Sequence, residues 1–180
     1  MFNFSLKTIN YKCITSRGFS LLEVLIYVSS LVLILAIVSN TFLLMSKSYL
    51  DIKVSQDINN SAVNIIERMS REIRWSNEVD SVNSVFNSNL GILVLNTIDD
   101  FGVSVEKKFY IENGILKIKE GFEEPKVLNT ENVKVNKMFL VLADSGISKI
   151  IKIEIEIEGT VKNNTKIKTF YNSVVMREGY

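Results

Sequence analysis

SRGFSLLEVLIYVSSLVLILAIVSNTFLLM, residues 16–45, decides how the rest of the chain is read. A basic flank ends at Arg17-Gly18, Phe19-Ser20-Leu21-Leu22 follows, and a single carboxylate, Glu23, stands before an almost uninterrupted apolar run. As a helix, residues 24–45 extend roughly 33 Å, enough to cross the hydrocarbon core of a bilayer. Glu23 is the odd residue. A carboxylate at the start of a spanning helix costs on the order of a few kcal/mol unless something pairs with it.

Working outward, the order Gly18-Phe19-Ser20-Leu21-Leu22-Glu23 after a basic leader resembles the processing motif of type IV pilins and type II secretion pseudopilins. In that family a membrane prepilin peptidase cuts after the glycine and methylates the new N-terminal residue. The acid five positions into the mature chain then pairs with a neighbouring subunit's terminal ammonium. The resemblance implies cleavage between Gly18 and Phe19, N-methylation of Phe19 and an assembly role for Glu23. It also implies the partners: the peptidase, other pilin or pseudopilin subunits, an inner-membrane assembly platform and membrane lipid. An ordinary secretory signal fits poorly, because its cleavage site needs small residues after a shorter apolar run. The stretch Ile37-Val38-Ser39 does not supply them. A plain single-pass anchor accounts for the hydrophobicity and leaves Glu23 without a reason.

Charge sets an orientation. Lys7, Lys12 and Arg17 precede the span and no acid precedes Glu23, so the positive-inside rule keeps the leader in the cytoplasm and sends the C-terminal part across the inner membrane. The whole chain carries +1; without the three leader cations it carries about −2, which argues against nucleic acid as a partner. The one cysteine, Cys13, falls in the expected leader, so the mature chain forms no disulfide and departs from pilins that carry a C-terminal disulfide loop. Histidine is absent, which removes the commonest general base and metal ligand. Without histidine, a mature cysteine or a glycine-rich phosphate loop, a non-enzyme with no cofactor and no metal is expected.

Past the span, Leu50, Val54, Ile58, Ala62, Ile65, Ile66, Met69 and Ile73 recur at spacings of three and four, the stripe of an amphipathic helix. No proline or glycine interrupts residues 19–77, so one continuous helix is expected. From Gly91 the period shifts towards two. Strands are predicted over residues 91–95, 103–112, 115–119, 132–142, 147–158 and 166–177, with a loop over 80–89 and turns at Asn113-Gly114, at 144–146 and over 159–164. Ile151, Ile153, Ile155 and Ile157 alternate with Lys152, Glu154, Glu156 and Glu158, the mark of a sheet covered on one face. The fold class is therefore α+β and pilin-like: a long N-terminal helix packed on one antiparallel sheet of about five to seven strands. Residues 1–18 form the cleaved leader, 19–45 the transmembrane or filament-core helix, 46–77 its amphipathic continuation and 78–180 the extracytoplasmic β domain. Residues 66–74 (IERMSREIR) and the ending KTFYNSVVMRE resemble J-type minor pseudopilins.

Other constellations have plain readings. Glu154, Glu156 and Glu158 suggest calcium, but residues two apart on a strand are nearly 7 Å apart, so a solvated acidic face is expected. Asp99-Asp100 reads as turn chemistry. Arg68, Arg71 and Arg74 alternate with Glu67 and Glu72, which points to local ion pairs. Tyr27, Ser29, Ser30, Ser39, Asn40 and Thr41 either favour close helix contact in the membrane or are passengers bonded to the preceding turn. The functional expectation is a structural subunit, a minor pilin or pseudopilin, of a type IV pilus or type II secretion pseudopilus. The alternative is a membrane-anchored minor pilin that binds surfaces or captures DNA.

Overall fold

A computed structural model describes residues 18, 20–98, 102–144 and 148–176. The chain divides into two compact units, Met1–Met45 and Ser46–Tyr180. Helix α1, Leu21–Trp75, runs through 55 residues without a break. With no glycine or proline to interrupt it, the ladder of N–H groups bonded to carbonyls four residues back is continuous. The helix stops where Ser76 bonds back into the last turn, its N–H to the Glu72 carbonyl and its Oγ to that of Ile73.

Among the described residues eight strands follow: β1 Glu78–Val79, β2 Leu93–Ile98, β3 Ser104–Glu112, β4 Ile115–Glu120, β5 Lys126–Val127, β6 Val133–Asp144, β7 Lys149–Val161 and β8 Asn164–Val175. They form not one sheet but two, β1-β2-β3-β4-β5 and β6-β7-β8, with every named pairing antiparallel. The single sheet expected from periodicity is corrected on this point. The two sheets do not merge because the free edge of β6 is taken by other backbone. Met138 N–H donates to the Asn89 carbonyl, Gly91 N–H to that of Met138, and Val135 N–H to that of Gly114. A register shift between Val135 and Lys137 bends the strand at that place.

In the second unit the predicted helix stripe is the core. Val54, Ile58, Ala62, Ile65, Met69 and Ile73 are buried and, with half-buried Ile66 against them, share one core with inward side chains of both sheets, while Leu50 is half-buried outside that core. From the larger sheet come Leu93, Leu95, Phe109, Leu116 and Ile118; from the smaller come Met138, Leu140, Ile151, Ile153, Ile155 and Ile157. Each fully buried Ile or Leu contributes on the order of 1.5–3 kcal/mol of transfer free energy. The expected alternation of β7 is present, with its acids on the opposite face. Asn113 and Gly114 both take positive φ, 53° and 76°, as the type I′ hairpin turn demands.

Two boundaries differ from expectation. Strand β7 continues through Gly159 to Val161, so the turn shrinks to Lys162-Asn163. Gly159 is a packing glycine rather than a turn glycine, since a Cβ there would lie 2.6 Å from Ile58 Cγ1. The helix ends at Trp75 rather than at residue 77, and β1, Glu78–Val79, too short to show a period, lies between it and the expected loop over 80–89. The predicted turn at 144–146 falls mostly outside the described residues, as do Asp99-Asp100 and Arg177.

Candidate functional site

Helix α1 begins immediately before the acid that the sequence singled out. The Ser20 carbonyl accepts the N–H groups of Glu23 (2.9 Å) and Val24 (3.1 Å), so Ser20 stands at the cap and Glu23 in the first turn. Ser20-Leu21-Leu22-Glu23 has the spacing of a capping box, and the positive end of the helix dipole favours an acid there. One turn on, Tyr27 Oη donates to Glu23 Oε1 at 2.9 Å. Glu23 thus has a local reason to exist even in a plain anchor, which corrects the reading that such an anchor leaves it unexplained. The signal was present in the sequence: Ser20 three residues before Glu23, and Tyr27 four after.

Gly18 lies outside the helix and is exposed, and a Cβ added to it would meet nothing within 4 Å. No packing within the described chain requires glycine at that position. Phe19, Lys7, Lys12 and Arg17 lie outside the described residues. From Leu21 to Met45 every residue but the half-buried Glu23 is exposed, including Leu25, Leu31, Leu35 and Phe42. Among the described residues α1 is the one helix with a stretch long and apolar enough to cross a bilayer. Hydroxyls inside that stretch bond to the helix itself: Ser29 Oγ donates to the Ile26 carbonyl and Thr41 Oγ1 to that of Ile37, both at 2.9 Å. At these two positions the hydroxyl is satisfied by the preceding turn.

In the second unit the arginine-rich segment is tied to the larger sheet. Arg68 Nη2 donates to Glu120 Oε1 at 2.6 Å, and Lys107 Nζ to Glu72 Oε2 at 2.6 Å. Arg68 Nε lies 3.0 Å from Glu72 Oε1, close enough for attraction, although its N–H is not aligned for a hydrogen bond. The expected local ion pairs are therefore half right: the Arg68–Glu72 pair is local, and its two further partners come from β3 and β4. Glu67 takes no part in these pairs, while Glu72, only 5% exposed, is central. Its burial was readable, since it stands three residues beyond Met69 on the apolar stripe.

The acidic face of β7 is partly neutralised by its neighbour. Lys137 Nζ donates to Glu154 Oε1 at 2.7 Å, and Asn136 Nδ2 to Glu158 Oε2 at 2.8 Å. Among the described residues no group of three or more potential metal ligands comes together.

No protein-family model, no curated protein and no solved structure matches this chain.

Proposed function

We propose that this chain is a prepilin-like structural subunit, a minor pilin or pseudopilin. It is cleaved between Gly18 and Phe19, N-methylated on Phe19 and assembled into a pilus or pseudopilus through its apolar helix. One observation carries the reading. Gly18, which nothing in the described chain requires to be glycine, stands before a helix with an acid in its first turn and an apolar segment left exposed along its whole length. A bare helix of this kind is stable only in lipid or among other such helices.

Glu23 supplies the register. In an apolar bundle, a carboxylate bonded to a neighbour's terminal ammonium is tolerated, whereas one at the wrong stagger is left unpaired and penalised. The part beyond Met45 carries the globular domain, with no mature thiol to cross-link it. The likeness to J-type pseudopilins narrows the proposal to a minor subunit of a secretion pseudopilus. Mass spectrometry of the N-terminus of protein isolated from its own cells tests the reading. A mature chain starting at N-methyl-Phe19 is expected, and a chain still starting at Met1 overturns it.

A further inference from the structure

The turn between β7 and β8 is fastened to α1 just past the apolar stretch. Asn164 Nδ2 donates to Asp51 Oδ1, Lys166 Nζ lies 3.4 Å from the same carboxylate, and Lys166 also reaches the Asp51 carbonyl at 3.3 Å. These contacts satisfy the one acid at this place. They leave two ammonium groups, Lys47 and Lys162, lining an open groove of about 890 Å³ together with Leu50 and Asn163. Neither lysine has an ion-pair or hydrogen-bond partner among the described residues.

Lys162 is also in an unfavourable backbone state. It takes φ 55° while Asn163 does not take positive φ, the pattern of a type II′ turn, in which glycine is the default at the first position. The other two-residue hairpin turn of this fold, Asn113-Gly114, uses residues that suit positive φ. A long cationic side chain held in a left-handed conformation is strain without a structural return, and such strain concentrates at functional positions. Lys47 follows Met45 by two residues, about 3 Å along the helix axis. Tyr49, 64% exposed, stands two residues further, where aromatic side chains mark the membrane–water boundary.

We propose that Lys47 and Lys162 grip the headgroup phosphate of an anionic phospholipid in the bilayer that α1 enters; this rests on the membrane-spanning reading above. Two ammonium point charges suit a phosphodiester, and half-buried Leu50 offers an apolar wall where the acyl chains begin. Asp51 does not repel the phosphate, because Lys166 and Asn164 hold its charge. The contact seats the β domain on the membrane until the subunit is drawn into a filament.

The test uses the full chain in nanodiscs of phosphatidylcholine alone and of phosphatidylcholine with phosphatidylglycerol, with amide hydrogen exchange read at residues 160–166. Phosphatidylglycerol is expected to slow exchange there several-fold. The double variant Lys47→Gln, Lys162→Asn keeps a turn that tolerates positive φ and is expected to lose the lipid effect while matching wild type in phosphatidylcholine. Equal exchange of the wild type in both lipids overturns the proposal. So does equal protection by millimolar inorganic phosphate in phosphatidylcholine discs, which makes the groove a site for free anions. A chain that does not stay with the discs overturns the membrane reading along with this one, whereas a chain that inserts and ignores phosphatidylglycerol overturns only this one.

Discussion

Lys107 Nζ lies 2.6 Å from Glu72 Oε2, joining β3 to α1 across 35 residues of chain at a carboxylate almost closed to solvent. The pair is one half of a cluster that Arg68 extends to Glu120. It orients the larger sheet on the helix where apolar contacts alone allow sliding.

Removing one member therefore costs more than removing both. Lys107→Met leaves Glu72 with Arg68 and the more distant Arg71 (3.9 Å) and is expected to destabilise the fold by about 2–3 kcal/mol, below the roughly 3–5 kcal/mol of a fully buried broken pair. The double variant Glu72→Leu, Lys107→Met is expected to cost less than either single change, since no buried charge is orphaned. Urea unfolding of the full chain in detergent, followed through its one tryptophan, Trp75, checks the order. A double variant as weak as the sum of the singles contradicts it.

Gly159 tests how closely β7 lies on the helix. A Cβ there meets Ile58 Cγ1 at 2.6 Å and Val54 Cγ1 at 3.4 Å. Gly159→Ala is expected to lose about 1–3 kcal/mol by overpacking. Ile58→Ala alone also destabilises, by cavity formation, but the two together should fall short of additivity by about 1 kcal/mol as the methyl fills part of the space. Strict additivity means the strand moves away instead.

Asp51 gives the attachment of β8 a pH dependence. Its hydrogen bond from Asn164, then the charge of Lys166, hold its carboxyl below the ordinary 3.8. A depressed folded-state value contributes stability that is present above the unfolded value and is lost as pH falls through the folded one. The carboxyl resonance of Asp51 is expected to titrate below 3.8, and Asp51→Asn to abolish the acid-side loosening of the Lys162-Asn163 turn. The group is exposed, so the readout is local exchange at Asn164 and Lys166 rather than global stability.

The parts legible in advance were those in which one residue type repeats at one period. The stripe from Val54 to Ile73 and the isoleucines of β7 state their own burial. Asn113-Gly114 states its turn because few other pairs suit two positive φ angles. The division into two sheets was not legible, since it rests on backbone of residues 89–91 and Gly114 occupying the edge of β6, and backbone carries no sequence signature. Gly159 was misread because glycine at a turn and glycine at a close contact look alike until Ile58 is placed against it. At the candidate site the Gly18–Glu23 spacing was visible at once. The Tyr27 hydroxyl was harder to read, because a tyrosine inside an apolar run counts first as hydrophobic surface and only its placement one turn beyond Glu23 makes it a donor.

That hydroxyl separates the two reasons for Glu23. If the acid serves only as the end of a helix, Tyr27→Phe and Glu23→Gln are both nearly silent, each costing a fraction of the roughly 0.3–1 kcal/mol of a first-turn acid. If it serves assembly, the effects have opposite signs. Glu23→Leu leaves cleavage after Gly18 intact and lowers incorporation into filaments by about tenfold or more, because nothing opposes wrong stagger. Tyr27→Phe removes a donor that satisfies the carboxylate before assembly, so the unassembled subunit is destabilised relative to the filament. Its incorporation should equal or exceed that of wild type, by up to about tenfold for the net loss of one solvent-exposed hydrogen bond. Quantifying mature subunit in sheared filaments against the membrane fraction decides between them. A Tyr27→Phe subunit that is cleaved but fails to assemble means that the hydroxyl orients Glu23 within the filament rather than holding it beforehand.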